Sequence, residues 1–179
     1  SSDLTMPTTG TVTVMLGATL DLNGLNGDGN GGQTIDVLAG GGVVELDGAV
    51  LTVTGGVEPG DSMSTLDVNG AGSLDLGAGA VSIFELGALA DPYDQVILPG
   101  GANVTLAGEL QVQDAGGLQA GDYTLFDLTG GTPSGDFSSV VMPSGFSGTI
   151  DKSSGDVVLT VTSSQLPGDT DGDGDVDIN

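Results

Sequence analysis

Five aspartates near the end of the sequence alternate with other residues in a spacing that suits a hard cation. They are Asp169, Asp171, Asp173, Asp175 and Asp177. In a 12-residue calcium loop, oxygen ligands stand at positions 1, 3 and 5, glycine makes the turn at position 6, and a carboxylate at position 12 closes the shell. With Asp169 at position 1, Gly174 falls at position 6, and position 12 would be residue 180, one beyond Asn179.

We therefore expect a partial calcium site, with calcium as the only cofactor. A neighbouring subunit or water would supply the missing ligand. The competing interpretation is a solvated acidic segment, because Gly/Asp strings without aromatic residues seldom pack into a core.

A second possible chemistry rests on paired carboxylates. Glycosidases use two acids about 5 to 10 Å apart, and Glu85, Asp91 and Asp94 are close enough in sequence to be candidates. Sugar sites, however, commonly add aromatic platforms and basic groups, and Lys152 is the one basic residue of the chain. We rank an enzyme third among the functions considered, expect the chain not to be one, and assign no catalytic residues.

Composition excludes several other functions. The chain carries 25 acidic residues against one basic residue, and it has no histidine, cysteine or tryptophan. A surface of this charge repels phosphate backbones, so we expect no nucleic-acid partner. Zinc sites of the Cys/His type, disulfides and Ser/His or Cys/His nucleophiles cannot form.

The remaining composition points to export. A sequence that begins Ser1-Ser2-Asp3 resembles the product of signal-peptide cleavage, and an acidic surface suits a medium that contains calcium and salt. No stretch approaches the about 20 apolar residues that span a bilayer. We expect a secreted or cell-surface bacterial protein without direct membrane insertion.

Short runs of alternating apolar and polar residues, bounded by glycine, predict one strand after another. Examples are Thr19-Leu-Asp-Leu22 and Ser73-Leu-Asp-Leu76. Because this period of two recurs without any 3.6-residue stripe, the sequence predicts an all-β fold. The predicted organisation is an extended segment over 1–10, an all-β domain over 11–162, a linker over 163–168 and the partial calcium loop over 169–179.

A loose repeat of Gly-x-Leu/Val-x-Leu/Val at multiples of about ten residues favours a parallel β-helix or solenoid. A β-sandwich or jelly roll fits the same spacing and remains the alternative. The six aromatic residues all follow residue 80. We therefore expect a glycine-rich, coil-stacking first part and a bulkier, more sandwich-like or capping second part.

The order of motifs from Glu58 to Thr162 also resembles a known class. It includes Thr65-Leu-Asp-Val68, Val104-Thr-Leu-Ala-Gly108, Gly121-Asp-Tyr-Thr-Leu-Phe-Asp-Leu128 and Val157-Val-Leu-Thr-Val161. This order is similar to the autotransporter-like, passenger-type β-helix repeat proteins that bacteria export, and the tail from Gly168 to Asn179 is similar to the first calcium loop of a type I dockerin. The resemblance implies export and a β-helix; it does not extend to the dockerin's helices or second loop, so cohesin docking is not implied.

Together these features predict an exported, acidic structural protein. It would be a subunit of an extracellular filament or surface assembly, a homo-oligomer that associates through strand edges and is stabilised by calcium. The alternative is a secreted adhesin or carbohydrate-binding module, whose partners would be glycans.

Overall fold

The chain forms a β-solenoid, in which each turn of backbone adds a strand to each of three faces. The computed structural model describes residues 6–22, 32–60 and 63–164. These residues contain sixteen strands and no helix, and so include no helix that could cross a membrane. The predicted all-β solenoid is confirmed, and the strands are arranged in stacked coils and not in the alternative β-sandwich.

Face 1 contains the first halves of two long strands and three whole strands. They are β3 (Gln33–Gly40), β5 (Val50–Pro59), β7 (Ser73–Leu76), β10 (Asn103–Leu106) and β13 (Pro133–Gly135). All neighbours on this face pair in parallel. Before β3, residues 6–10 run beside it: the Met6 N–H bonds Gln33 Oε1 at 3.3 Å, and the Gly10 N–H bonds Asp36 Oδ2 at 2.9 Å.

Face 2 begins where β3 and β5 turn a corner. A register shift between Ile35 and Val37 marks the corner in β3, and Val37 then lies opposite Thr11. The whole strands of this face are β1 (Thr11–Thr13), β8 (Val81–Gly87), β11 (Glu109–Gly116) and β14 (Ser139–Val141). The second half of β5 lies against β8, where the Val57 N–H reaches Ser82 Oγ at 3.4 Å.

Face 3 completes each coil. Its strands in spatial order are β2 (Thr19–Asp21), β4 (Val43–Glu45), β6 (Thr65–Asn69), β9 (Gln95–Leu98), β12 (Gly121–Leu128), β16 (Val157–Ser163) and β15 (Phe146–Asp151). The strands up to β12 pair in parallel, and β16 is antiparallel to both of its neighbours.

The core is a column of side chains stacked from coil to coil. Leu66, Val96 and Phe126 are opposite one another on successive strands and are all fully buried. Because alternate residues of a strand point to opposite faces, the apolar half of each Leu-x-Val pattern fills this column and the polar half faces solvent. Each such side chain contributes about 1.5–3 kcal/mol through burial.

Coil length increases from β3 to β10. The in-register partner of Ile35 is Val53, that of Leu51 is Leu74, and that of Leu74 is Val104. The sequence separation between stacked partners therefore grows over these three steps, and the added residues lengthen face 2 and the turn that follows it. This widening makes room for the aromatic residues of the second half, including the Phe84–Phe126 ring pair at 5.5 Å. The next step, from Val104 to Pro133, is no longer than the one before it.

The last coil differs from the others. After β14 the chain forms β15, turns, and returns as β16, which inserts between β12 and β15. Face 3 therefore extends one strand, about 4.8 Å, beyond faces 1 and 2 at this end of the stack. In the second half of the chain, the antiparallel strand pairs are those that β16 forms with β12 and β15. The coils before them pair in parallel.

Candidate functional site

Two of the three candidate carboxylates lie together in a cleft of about 270 Å³. The cleft opens on face 2, beside the turn that leads from β8 to β9. Its lining residues are Glu58, Pro59, Gly60, Ile83, Glu85, Asp94 and Gln113. Asp91, the third candidate, is exposed and is not among them.

The cleft is built by outward-facing positions of three successive strands. Glu85 of β8 is in register with Gln113 of β11, and Glu58 comes from the preceding coil on β5. The next coil is longer in this region: seven residues, 88–94, separate β8 from β9, whereas five residues, 60–64, separate β5 from β6. The change of coil length therefore leaves the space that forms the cleft.

Asp94 lies at the inner end of the turn and is only 2% exposed. Its Oδ2 accepts a hydrogen bond from the Glu85 N–H at 2.8 Å, and its Oδ1 accepts one from the Ser64 N–H at 3.1 Å. Its own N–H donates to the Glu85 carbonyl at 3.0 Å. The side chain thus ties the turn to β8 and to the segment that precedes β6.

Burial raises the pKa of Asp94 to about 6, against an ordinary value of 3.8. The bonds from the backbone N–H groups of Glu85 and Ser64 oppose this shift, and the negative charge of Glu85 adds to it. A carboxyl group with a pKa in this range could serve as a general acid. Here, however, both oxygens already accept bonds from the backbone, so the geometry gives Asp94 a structural role.

The remaining polar side chains of the cleft are two carboxylates, which accept hydrogen bonds, and the amide of Gln113, which can accept or donate them. Glu58 and Glu85 are half-buried and Gln113 is exposed. Among the described residues no group of three or more Asp or Glu side chains is arranged to hold a metal ion. Lys152, the one basic residue, does not line the cleft. It forms a salt bridge on the last coil, where its Nζ lies 2.7 Å from Asp136 Oδ1.

The predicted calcium ligands Asp169, Asp171, Asp173, Asp175 and Asp177 lie outside the described residues. So do residues 1–5 of the extended segment and residues 165–168 of the linker. The calcium site therefore stays a prediction.

Glu58, Gln113 and Ile83 were not singled out in the sequence. Ile83 lies two residues before Glu85 on β8, whereas Glu58 and Gln113 come from the neighbouring coils and meet Glu85 because the coils stack in register. The outward position of Glu58 in Val57-Glu58-Pro59 was visible as alternation, but its neighbour in the next coil was not.

Comparison with protein-family models, with curated proteins and with solved structures gives no match. The functional argument therefore rests on the geometry of the chain itself.

Proposed function

We propose that this chain is a structural β-solenoid of an extracellular or cell-surface assembly, in which copies join through the ends of their coils. The observation that carries the proposal is the distribution of side chains. Among the described residues, five large hydrophobic side chains are exposed, and three of them, Met15, Leu16 and Val141, lie in the first and last coils, while Val81 and Leu89 lie on the sides. Carboxylates project from face 3.

The first coil presents its apolar residues in the turn between β1 and β2. There Met15 is 60% exposed and Leu16 is 88% exposed. In the described chain both strands are paired on one side only, so each offers a row of backbone groups to another strand. A second chain could bury the apolar turn and extend the sheets at once.

The last coil also presents apolar residues. Its half-buried hydrophobic residues are Phe137, Val140, Met142, Phe146 and Ile150. Val141, on the edge strand β14, is 42% exposed. These side chains pack against the core from outside and are accessible to a partner.

Face 3 of the solenoid discourages lateral packing. Asp21, Glu45, Asp67 and Asp127 all point outward from face 3, and the chain has one lysine against 25 acids. Two copies packed through face 3 would oppose like charges without cations to compensate them. Contacts through the edge strands β1 and β14 avoid this repulsion because neither strand carries a charged residue, whereas the end strands of face 3, β2 and β15, carry Asp21 and Asp151.

The pairing of ends determines the kind of assembly. Contact between like ends closes a dimer, whereas contact between unlike ends propagates a fibre. At the last coil, face 3 extends one strand beyond faces 1 and 2, whereas the three faces of the first coil end at the same level. The first coil of one copy therefore cannot contact all three faces of another copy's last coil at once. A fibre therefore requires an additional strand or a tilt at each joint.

Calcium enters the proposal at the last coil. The described residues end at Ser164, whose N–H donates to the Gly145 carbonyl of this coil at 2.9 Å. Asp169 follows five residues later in the sequence. Calcium bound by Asp169–Asp177 would lower the negative charge of the segment that follows the last coil.

Sedimentation velocity of the 179-residue chain, over a hundredfold range of concentration and with either millimolar calcium or chelator, tests the proposal. We expect concentration-dependent association that Leu16→Asp weakens at least about tenfold, because a charge would be buried at the joint. Leu89→Asp is the matched control, since Leu89 is 39% exposed on a turn at the side of the stack. A monomer at all concentrations in calcium would refute the proposal.

A further inference from the structure

Face 1 differs from the other faces in the side chains that it presents to solvent. Its outward residues form two columns that run across the strands. One column is Thr34, Thr52, Asp75, Thr105 and Ser134, and the other is Val50, Ser73, Asn103 and Thr132. Six of these nine residues carry a hydroxyl group, and a single one is acidic.

The columns have a regular geometry. Neighbouring strands are about 4.8 Å apart, and alternate residues of one strand are about 6.6 Å apart. Contacts between side chains keep the columns in order: Thr132 Oγ1 donates to Asn103 Oδ1 at 3.0 Å, and Ser134 Oγ donates to Thr105 Oγ1 at 3.3 Å. Asp75 is engaged within the array, where its Oδ1 accepts a bond from the Ser73 hydroxyl.

Charge separates this face from face 3. In a chain with a formal charge of −24, face 1 is a nearly neutral strip of hydroxyl and amide groups. An anionic ligand is repelled by the whole molecule, and a cationic one is drawn to the carboxylates of face 3. The neutral strip therefore suits a ligand that is itself uncharged and rich in hydroxyl groups.

We propose that face 1 binds a neutral polysaccharide, whose repeating sugar units lie along the hydroxyl columns. The columns carry no aromatic platform, so each sugar gains only hydrogen bonds, which are weak individually in water. Useful affinity must come from many units engaged together. A second copy of the chain fits face 1 less well. A stable protein interface buries about 800 Å² on each partner, and the five short strands of face 1 offer far less surface than that.

The test is depletion of the purified 179-residue chain by insoluble cellulose, xylan, mannan and starch, with cross-linked polygalacturonate as the anionic counterpart. We expect retention on at least one neutral polymer and none on polygalacturonate. A long soluble chain of the same sugar should compete, whereas its disaccharide should not. Retention by none of the four neutral polymers, or sedimentation without polymer, overturns the proposal.

Variants locate the binding face. Thr52→Val with Thr105→Val removes two hydroxyl groups from one column, and we expect it to weaken retention at least about tenfold. Thr65→Val with Thr149→Val makes the same change on face 3 and should stay within about twofold of the original chain. Valine is favoured in strands, so both double variants should fold, which a thermal melt checks. Equal effects of the two pairs, or no effect of the first, would refute the assignment to face 1. These outcomes are independent of end-to-end association, which the sedimentation test measures.

Discussion

The carboxylate of Asp94 accepts the backbone N–H of Glu85 at 2.8 Å, while the backbone N–H of Asp94 donates to the Glu85 carbonyl at 3.0 Å. This reciprocal pair closes the turn that connects β8 to β9. The turn forms one wall of the cleft, so the pair also sets the shape of the surface around Glu58 and Gln113. Two consequences can be measured.

Stability should depend on pH through Asp94. Its pKa of about 6 in the folded chain lies above the ordinary value of 3.8, so the folded state holds this proton more tightly than the unfolded state. The resulting stabilisation is fully present below about pH 4 and is lost as pH rises through about 6, a change of about 3 kcal/mol. Urea unfolding at a series of pH values measures it. Asp94→Asn should remove this part of the dependence of unfolding free energy on pH and leave the part due to the other acids. An unchanged slope between about pH 4 and 6 would show that Asp94 is not the group responsible.

Removal of the Asp94 side chain should destabilise the fold. Asp94→Ala leaves the N–H groups of Glu85 and Ser64 without their acceptors, at a cost of about 2–4 kcal/mol in the free energy of unfolding. Asp91→Ala, on the exposed part of the same turn, should cost under about 0.5 kcal/mol. Urea unfolding of both variants at pH 5 measures the two changes. Equal losses in the free energy of unfolding would show that the Asp94 hydrogen bonds do not hold the turn in place.

The solenoid could be predicted from the sequence because its signal is local. Alternation such as Thr65-Leu66-Asp67-Val68 indicates which residues face the core whatever lies beside the strand, and glycine marks where each strand ends. The aromatic residues after position 80 also indicated the larger core, which the Tyr93–Tyr123 pair at 5.2 Å helps to fill.

The cleft could not be predicted in the same way. Glu58, Glu85 and Gln113 meet through the register between coils, and the sequence separation of that register changes with the length of the turns. Proximity in sequence suggested Glu85, Asp91 and Asp94 as a group, yet the structure joins Glu85 to Gln113 of the following coil and leaves Asp91 outside. The inserted strand β16 was similarly hidden, because Val157-Val-Leu-Thr-Val161 alternates like any other strand and does not reveal its direction.

Gly56 should be intolerant of substitution because two coils meet there. Its φ is +127°, and a Cβ would lie 2.0 Å from the Val81 carbonyl oxygen, a backbone atom that cannot move aside. We expect Gly56→Ala to cost about 3 kcal/mol or more through strain and displacement of β8. Gly79→Ala is the control: Gly79 has an ordinary φ and open space around its Cβ position, so the change should be neutral or slightly stabilising. Thermal melts of the two variants measure the difference. A Gly56→Ala chain as stable as the original would show that the backbone at Val81 can move away from residue 56.

Calcium binding to the terminal segment should depend on the spacing of its aspartates. Because positions 1, 3 and 5 of a calcium loop supply its first oxygen ligands, Asp171→Asn with Asp173→Asn should weaken calcium binding at least about tenfold in isothermal titration. Asp122→Asn with Asp127→Asn removes the same charge from face 3 and is the matched control, since a nonspecific ion atmosphere would respond equally to both pairs. A tenfold loss confined to the terminal pair supports a site formed by Asp169–Asp177. Equal behaviour of the two double variants, or weak binding that disappears at about 0.15 M salt, would instead assign the calcium to general attraction by the acidic surface.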